Sequence, residues 1–139
     1  MTFKATICVD FDGTIVEHDP QLRETSLKPG VRDALTRFQE LGFKIVIFSC
    51  RSNDKFFEDS AKHVKNMKDI LDKGKIPYDE ISDSNKPVAV WYIDDKAIPF
   101  RNDWDEITEF VEIQHKEYIE RERKLYDSNS QDTDNTSRR

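Results

Sequence analysis

The sequence predicts an α/β domain of three layers with a mostly parallel central sheet, and three observations carry that prediction. Apolar runs at 5–9, 43–48 (Lys44 apart) and 88–93 are nearly continuous rather than alternating, the mark of strands buried on both faces. Segments with apolar residues at helical spacing separate these runs. Two of the runs lead into acidic pairs and one into a serine, where open α/β sheets place their ligands. The 139 residues suit one domain with a core that needs no covalent staples.

Taken in order, the run at 5–9 drives into Asp10-Phe11-Asp12-Gly13-Thr14. Asp10 and Asp12 leave an extended backbone on the same side, so their charges repel unless a cation or a proton intervenes. An ordinary Asp-Gly turn would explain one of these aspartates but not both. Residues 14–27 are short and polar, contain Pro20 and lack a helical period; they read as a loop or small hairpin beside the carboxylates. Pro29-Gly30 opens a helix carrying Val31, Ala34, Leu35, Phe38 and Leu41, with Gly42 placed to end it. The second strand, 43–48, closes at Ser49-Cys50-Arg51-Ser52.

Asn53 or Asp54 is placed to cap the next helix. Its stripe is Phe56, Phe57, Ala61, Val64, Met67, Ile70 and Leu71, stopping at Gly74. A short edge-like strand at 78–81 follows Pro77, and Lys86-Pro87 precedes the strongest late strand, 88–93, which ends at Asp94-Asp95. After a brief extended piece at 98–100, Asp103 and Glu106 form an acidic capping box. The last helix is expected to bury Trp104, Ile107, Phe110 or Val111, and Tyr118. The domain is expected to span 1–126; residues 127–139 hold too little apolar surface to offset their ordering entropy and are expected to be a disordered polar tail.

Composition narrows the function classes. Charged and apolar residues each make up 36%, and the net charge of −6 disfavours generic binding to nucleic-acid backbones while leaving room for a local basic groove. Cys8 and Cys50 have no spacing of a zinc site or disulfide framework and read as buried reduced thiols. The start carries no basic-then-apolar leader, and no apolar run approaches the roughly 20 residues that span a bilayer. The expectation is a soluble cytoplasmic protein that does not engage a membrane.

In a parallel sheet with right-handed crossovers, the ends at Asp10 and Asp12, Ser49, and Asp94 and Asp95 share one rim. Acidic pairs from separate strands can converge on one hard cation, and Mg2+ suits a few carboxylates while keeping positions for water or substrate oxygens. Ser49 offers a hydroxyl donor to an anion, and Lys86 a compact positive charge. Together these groups describe phosphoryl chemistry, in which one aspartate attacks phosphorus and water later releases the phosphate.

At this point the sequence resembles the haloacid dehalogenase-like phosphohydrolase superfamily. Asp10-Phe11-Asp12-Gly13-Thr14 looks like its DxDGT motif, and Ile45 to Ser49 like the second motif, an apolar strand ending in Ser or Thr. Lys86 fits the third, and Tyr92-Ile93-Asp94-Asp95 the fourth. The resemblance spans residues 5–95 and implies a Rossmann-like phosphatase domain. It implies that Asp10 is the nucleophile and that Asp12 is the general acid and base, with its backbone carbonyl on the metal. Ser49 and Lys86 would hold the phosphoryl group, together with Gly13 and Thr14. Asp94 and Asp95 would bind Mg2+, with Asp95 favoured as the direct ligand. Arg51 stands where related sequences often carry an arginine that contacts substrate or phosphate; its other reading is a partner for a carboxylate.

Members of the superfamily often carry a cap domain, and neither the gap at 14–28 nor the one between Ser49 and Lys86 has room for one. The resemblance therefore implies a capless phosphatase whose open site takes a nucleotide, a polynucleotide end, a protein side chain or a small molecule, with a homo-oligomer as one source of a lid. The residues at 19–27 and 51–57 are the expected specificity loops, and His18 reads as a solvated loop histidine. A phosphoacceptor receiver domain uses similar residues but places its lysine after the acidic strands, so motif order separates the two. A non-catalytic phosphate- or partner-binding relative and a phosphotransferase remain as alternatives.

Overall fold

Branched and apolar side chains favour an extended chain at the start of the sequence, and the computed structural model places strand β1 at Thr6–Asp10. The structure describes residues 4–19, 21, 26–83 and 85–136. Pro20 and residues 22–25 of the expected specificity loop, and 137–139 of the expected tail, lie outside the described residues. The elements that follow are α1 (Val31–Glu40), β2 (Lys44–Phe48), a 3-10 turn at Cys50–Ser52, α2 (Ser60–Lys73), β3 (Glu80–Ile81), β4 (Trp91–Ile93) and α3 (Trp104–Thr136).

The sheet is parallel throughout, in the order β3-β2-β1-β4. β1 is therefore internal, and its register aligns Asp10 with Phe48 on one side and Val9 with Ile93 on the other. This puts the carboxyl ends of β1, β2 and β4 on one rim, as expected, and the α/β Rossmann-like class holds. Ile7, Val9, Ile45 and Ile47 form one buried cluster with Leu35 of α1 and with Met67 and Leu71 of α2. Odd-numbered strand residues share a face, so both helices cover that face, as right-handed crossovers require when β1, β2 and β3 step in one direction. These residues form a unit of 1–97, which by itself supplies a helix layer and a sheet layer.

The loop after β1 is less polar in its role than in its composition. The Phe11 carbonyl accepts from the amides of Thr14, Ile15 and Val16, at 3.3, 2.9 and 3.2 Å. This tight turn sends Ile15 and Val16 into the core, each fully buried. Glu17 then donates to Ser26 O at 3.0 Å and Lys28 to Ile15 O at 2.8 Å, which closes the small hairpin. Two apolar residues in a row carry no period, which is why their burial escapes a pattern search.

Other expectations are corrected. The helix expected at Asn53 or Asp54 begins only at Ser60. The Asn53 side chain instead accepts from Lys55 N at 2.9 Å, making a local turn that competes with the helix, and Phe56 is exposed rather than part of the stripe. Leu41 is exposed as well. The late strand shortens to three residues at the edge of the sheet, where β1 is its partner, with Val88 and Val90 outside it and exposed. Cys50 is exposed, carried outward by the 3-10 turn, while Cys8 is buried as expected.

Residues 98–139 form a second unit, dominated by α3. Trp104, Phe110, Val111 and Tyr118, expected to be buried, are exposed. The Asp103 carboxylate accepts from Arg101 N at 2.9 Å, while its carbonyl accepts the first helical bond from Ile107 N at 3.0 Å. The helical backbone runs on to Thr136, through most of the segment expected to be disordered; extending a helix that already exists costs far less than nucleating one. No helix among the described residues is long and apolar enough to cross a membrane.

Leu71 is fully buried between α2 and the sheet. Leu71→Ala is expected to lower unfolding free energy by about 2–5 kcal/mol through lost burial and a residual cavity, read as a lower urea midpoint with an unchanged slope.

Candidate active site

The carboxyl rim gathers three carboxylates from two strands. Asp10 ends β1 and Asp94 and Asp95 follow β4, and ligand oxygens from all three lie within 4.8 Å of one another. Parallel pairing causes this, since Val9 aligned with Ile93 makes Asp10 and Asp94 the next pair along the two chains. Asp10 is half-buried, whereas Asp94 and Asp95 are exposed.

Charge repulsion at such spacing alters protonation. Burial, a hydrogen bond with Asp95 and the Asp94 charge push the Asp10 carboxyl up to about 7. For Asp95, burial works upward, but the hydrogen bond from Asp10, its own amide and Thr14 prevail, and it is held below the usual carboxylate range. Of the two coupled carboxyls, Asp10 is therefore the one that takes up a proton more readily. The same surroundings push the Cys8 thiol up to about 11, through burial and then the Asp10 and Asp94 charges, which leaves it a poor nucleophile.

Thr14 ties the two strand ends together. Its Oγ1 lies 3.2 Å from both Asp10 Oδ2 and Asp95 Oδ1, and it accepts from the Asp95 amide at 3.2 Å. A hydroxyl has one hydrogen, so it serves one carboxylate at a time. Gly13 permits this approach: a Cβ there would stand 2.5 Å from Asp95 Oδ2, and its φ of +82° already favours glycine.

Asp12 does not join the cluster with its side chain. Its carboxylate takes a two-point ion pair from Arg51, with Nε donating to Oδ2 at 2.8 Å and the second donor, Nη2, reaching Oδ1. Of the two sequence readings for Arg51, the carboxylate partner is the one present. The guanidinium is buried and stacks over the Phe11 ring, 5.2 Å from its centroid.

Ser49 lies one residue past β2 and is buried in an extended conformation. Its Oγ accepts from the Arg51 amide at 3.2 Å, and among the described residues its hydroxyl hydrogen has no acceptor and can serve an anion. Lys86 is exposed, and among the described residues its ammonium sits 4.8 Å from the Tyr92 ring centroid rather than in an ion pair with the acidic rim. Its charge still reaches Cys8, which shares a strand face with Asp10. His18 is exposed.

The donor set fits a hard divalent cation: oxygens only, from carboxylates already paying for mutual repulsion, with open positions toward solvent. The sequence pointed to Asp10, Asp94 and Asp95; it did not show that Thr14 bridges them or that Asp12 turns to Arg51, since both depend on which loops face each other.

No family model and no curated protein matches the chain. A solved structure of a conserved protein from Bacteroides thetaiotaomicron is similar at 24% identity and a TM-score of 0.50, covering 81% of this chain and 93% of that one. That likeness shows the α/β fold.

The Asp10 shift sets a sign for stability against pH. Its folded value lies above the unfolded value of about 3.9, so its contribution is complete below that pH and is lost as pH rises through about 7. Asp95 acts in the opposite sense, and its lowered value confines its effect to more acidic conditions. In chelator, the melting temperature of Asp10→Asn relative to wild type is expected to rise from about pH 4.5 to about pH 7.5, and magnesium is expected to shrink the difference.

Proposed function

We propose that this chain is a magnesium-dependent phosphomonoester hydrolase that works through an aspartyl phosphate on Asp10. The observation that carries the reading is the convergence of Asp10, Asp94 and Asp95 within 4.8 Å at the carboxyl rim of a parallel sheet, with Asp12 two residues on and held separately.

The residues divide the work as follows. An Asp10 carboxylate oxygen bonds to phosphorus as the bond from phosphorus to the leaving oxygen breaks, and Asp12 gives that oxygen a proton. Water then attacks phosphorus, losing a proton to Asp12, and the bond to Asp10 breaks to release inorganic phosphate. Arg51 occupies one lone-pair site on each Asp12 oxygen, and about two of the four remain for a proton. Ser49 donates to a phosphoryl oxygen beside the turn at Gly13 and Thr14, while Lys86 supplies positive charge from the Tyr92 side. Bound magnesium would neutralise the carboxylates enough for a phosphate dianion to approach Asp10.

Asp10 in its protonated form cannot attack, so the reading requires a cation or a pH above about 7 to free it. The free thiols of Cys8 and Cys50 fit a cytoplasmic setting. The acceptor of the phosphoryl group is taken to be water, and the open rim admits a bulky phosphorylated group.

Phosphate release from p-nitrophenyl phosphate is the test. Release is expected with magnesium, to be lost in chelator, and to fall to the blank for Asp10→Asn. Full activity in Asp10→Asn would remove the aspartyl-phosphate mechanism. Silence of the wild type on this ester and on phosphorylated nucleotides and oligonucleotides, with magnesium still bound, would leave a phosphate- or partner-binding role.

A further inference from the structure

Arg51 is 1% exposed, among the largest fully buried side chains described. Burying a guanidinium costs free energy that an apolar residue would avoid, and its pairing returns at most part of that. Its placement is nevertheless fixed from three directions. The Phe11 ring lies under the guanidinium, Ser49 Oγ accepts from the Arg51 amide, and Ser52 Oγ donates to Ser49 O at 2.9 Å to close the turn. The two ends of its fork then engage both oxygens of Asp12.

The partners of the neighbouring aspartates differ sharply. Asp10 faces Asp95 and Thr14, while Asp12, two residues on, pairs with a cation from the turn after β2. Without that cation a fourth carboxylate would stand beside three that already repel. The Asp12 side chain is 15% exposed and Arg51 is 1% exposed, so the carboxylate meets solvent and the guanidinium behind it does not.

We propose that Arg51 is a positioning residue: its two-point grip keeps the Asp12 carboxylate out of the Asp10–Asp94–Asp95 cluster and turned toward the departing oxygen of the substrate. This rests on the phosphatase reading above. It assigns Arg51 an effect on proton transfer through Asp12 and no contact with the phosphoryl group. A lysine at the same place would keep the charge but offer one point of attachment, freeing the carboxylate to rotate.

The proton that passes from Asp12 to the leaving oxygen matters more as the leaving group becomes a stronger base. A defect in placing Asp12 therefore depends on the leaving group, whereas a loss of folded enzyme lowers every rate by one factor. The experiment is steady-state hydrolysis of substituted phenyl phosphates, from p-nitrophenyl to unsubstituted phenyl, by wild type, Arg51→Lys, Asp12→Asn and the double variant. Arg51→Lys is expected to lower kcat on phenyl phosphate by about 10²-fold, to lower it far less on p-nitrophenyl phosphate, and to leave KM close to wild type. In the Asp12→Asn background the same change is expected to cost nothing more, because the two residues act as a unit.

Equal losses across the series, a rise in KM alone, or independent effects in the double variant would overturn the proposal while leaving the hydrolase reading in place. Absence of wild-type turnover on every ester would overturn both. Should Arg51→Lys fail to fold by circular dichroism, Phe11→Leu removes the ring beneath the guanidinium and keeps the ion pair. It is then expected to show the same leaving-group dependence in weaker form, and a uniform loss there would also overturn the proposal.

Discussion

Like charge at the end of a parallel sheet is the constraint on which the rest of this site depends. Two carboxylates within 4.8 Å of each other repel by at least about 3 kcal/mol at the effective dielectric of a protein surface, several times thermal energy. Three of them cannot all stay ionised unless something intervenes. In the structure the Thr14 hydroxyl lies between Asp10 and Asp95, and the crowding raises the affinity of Asp10 for a proton. Gly13 makes the contact sterically possible, since any side chain there would collide with Asp95. The same repulsion gives the rim a donor set that fits a divalent cation, and the proposed function builds on that fit.

The fold brings these groups together through β1. As an internal strand with parallel neighbours on both sides, it fixes Asp10 beside the exits of β2 and β4 at once. Its continuation, Phe11 to Val16, is pinned to the core by Phe11, Ile15 and Val16, so the turn bearing Asp12, Gly13 and Thr14 stands on a buried base. Function and stability thereby share residues: Phe11 fills the core and carries the guanidinium that orders Asp12.

Much of this was legible in the sequence. Continuous apolar runs revealed β1 and β2, and the acidic pairs after the first and last strands marked the rim, because strand periodicity and chain order survive in one dimension. What the sequence hid depends on long-range neighbours. The Asn53 turn that delays α2 is a local competition that periodicity cannot weigh. The exposure of the α3 stripe and of β4 depends on tertiary partners, to which an amphipathic pattern is blind. Arg51 was visible as a cation near the site, but its choice of Asp12 follows from the turn that Ser49 and Ser52 hold after β2.

The central claim is that Asp10 becomes phosphorylated. Wild-type protein mixed with p-nitrophenyl phosphate and magnesium, quenched in acid within one turnover and reduced with borohydride, tests it most directly. An acyl phosphate at position 10 is converted by reduction to homoserine, which peptide mass spectrometry locates. Homoserine at position 10, absent when the ester is omitted, is the predicted result. Steady phosphate release with unmodified aspartate at position 10 throughout the time course would contradict the account and place the chemistry elsewhere.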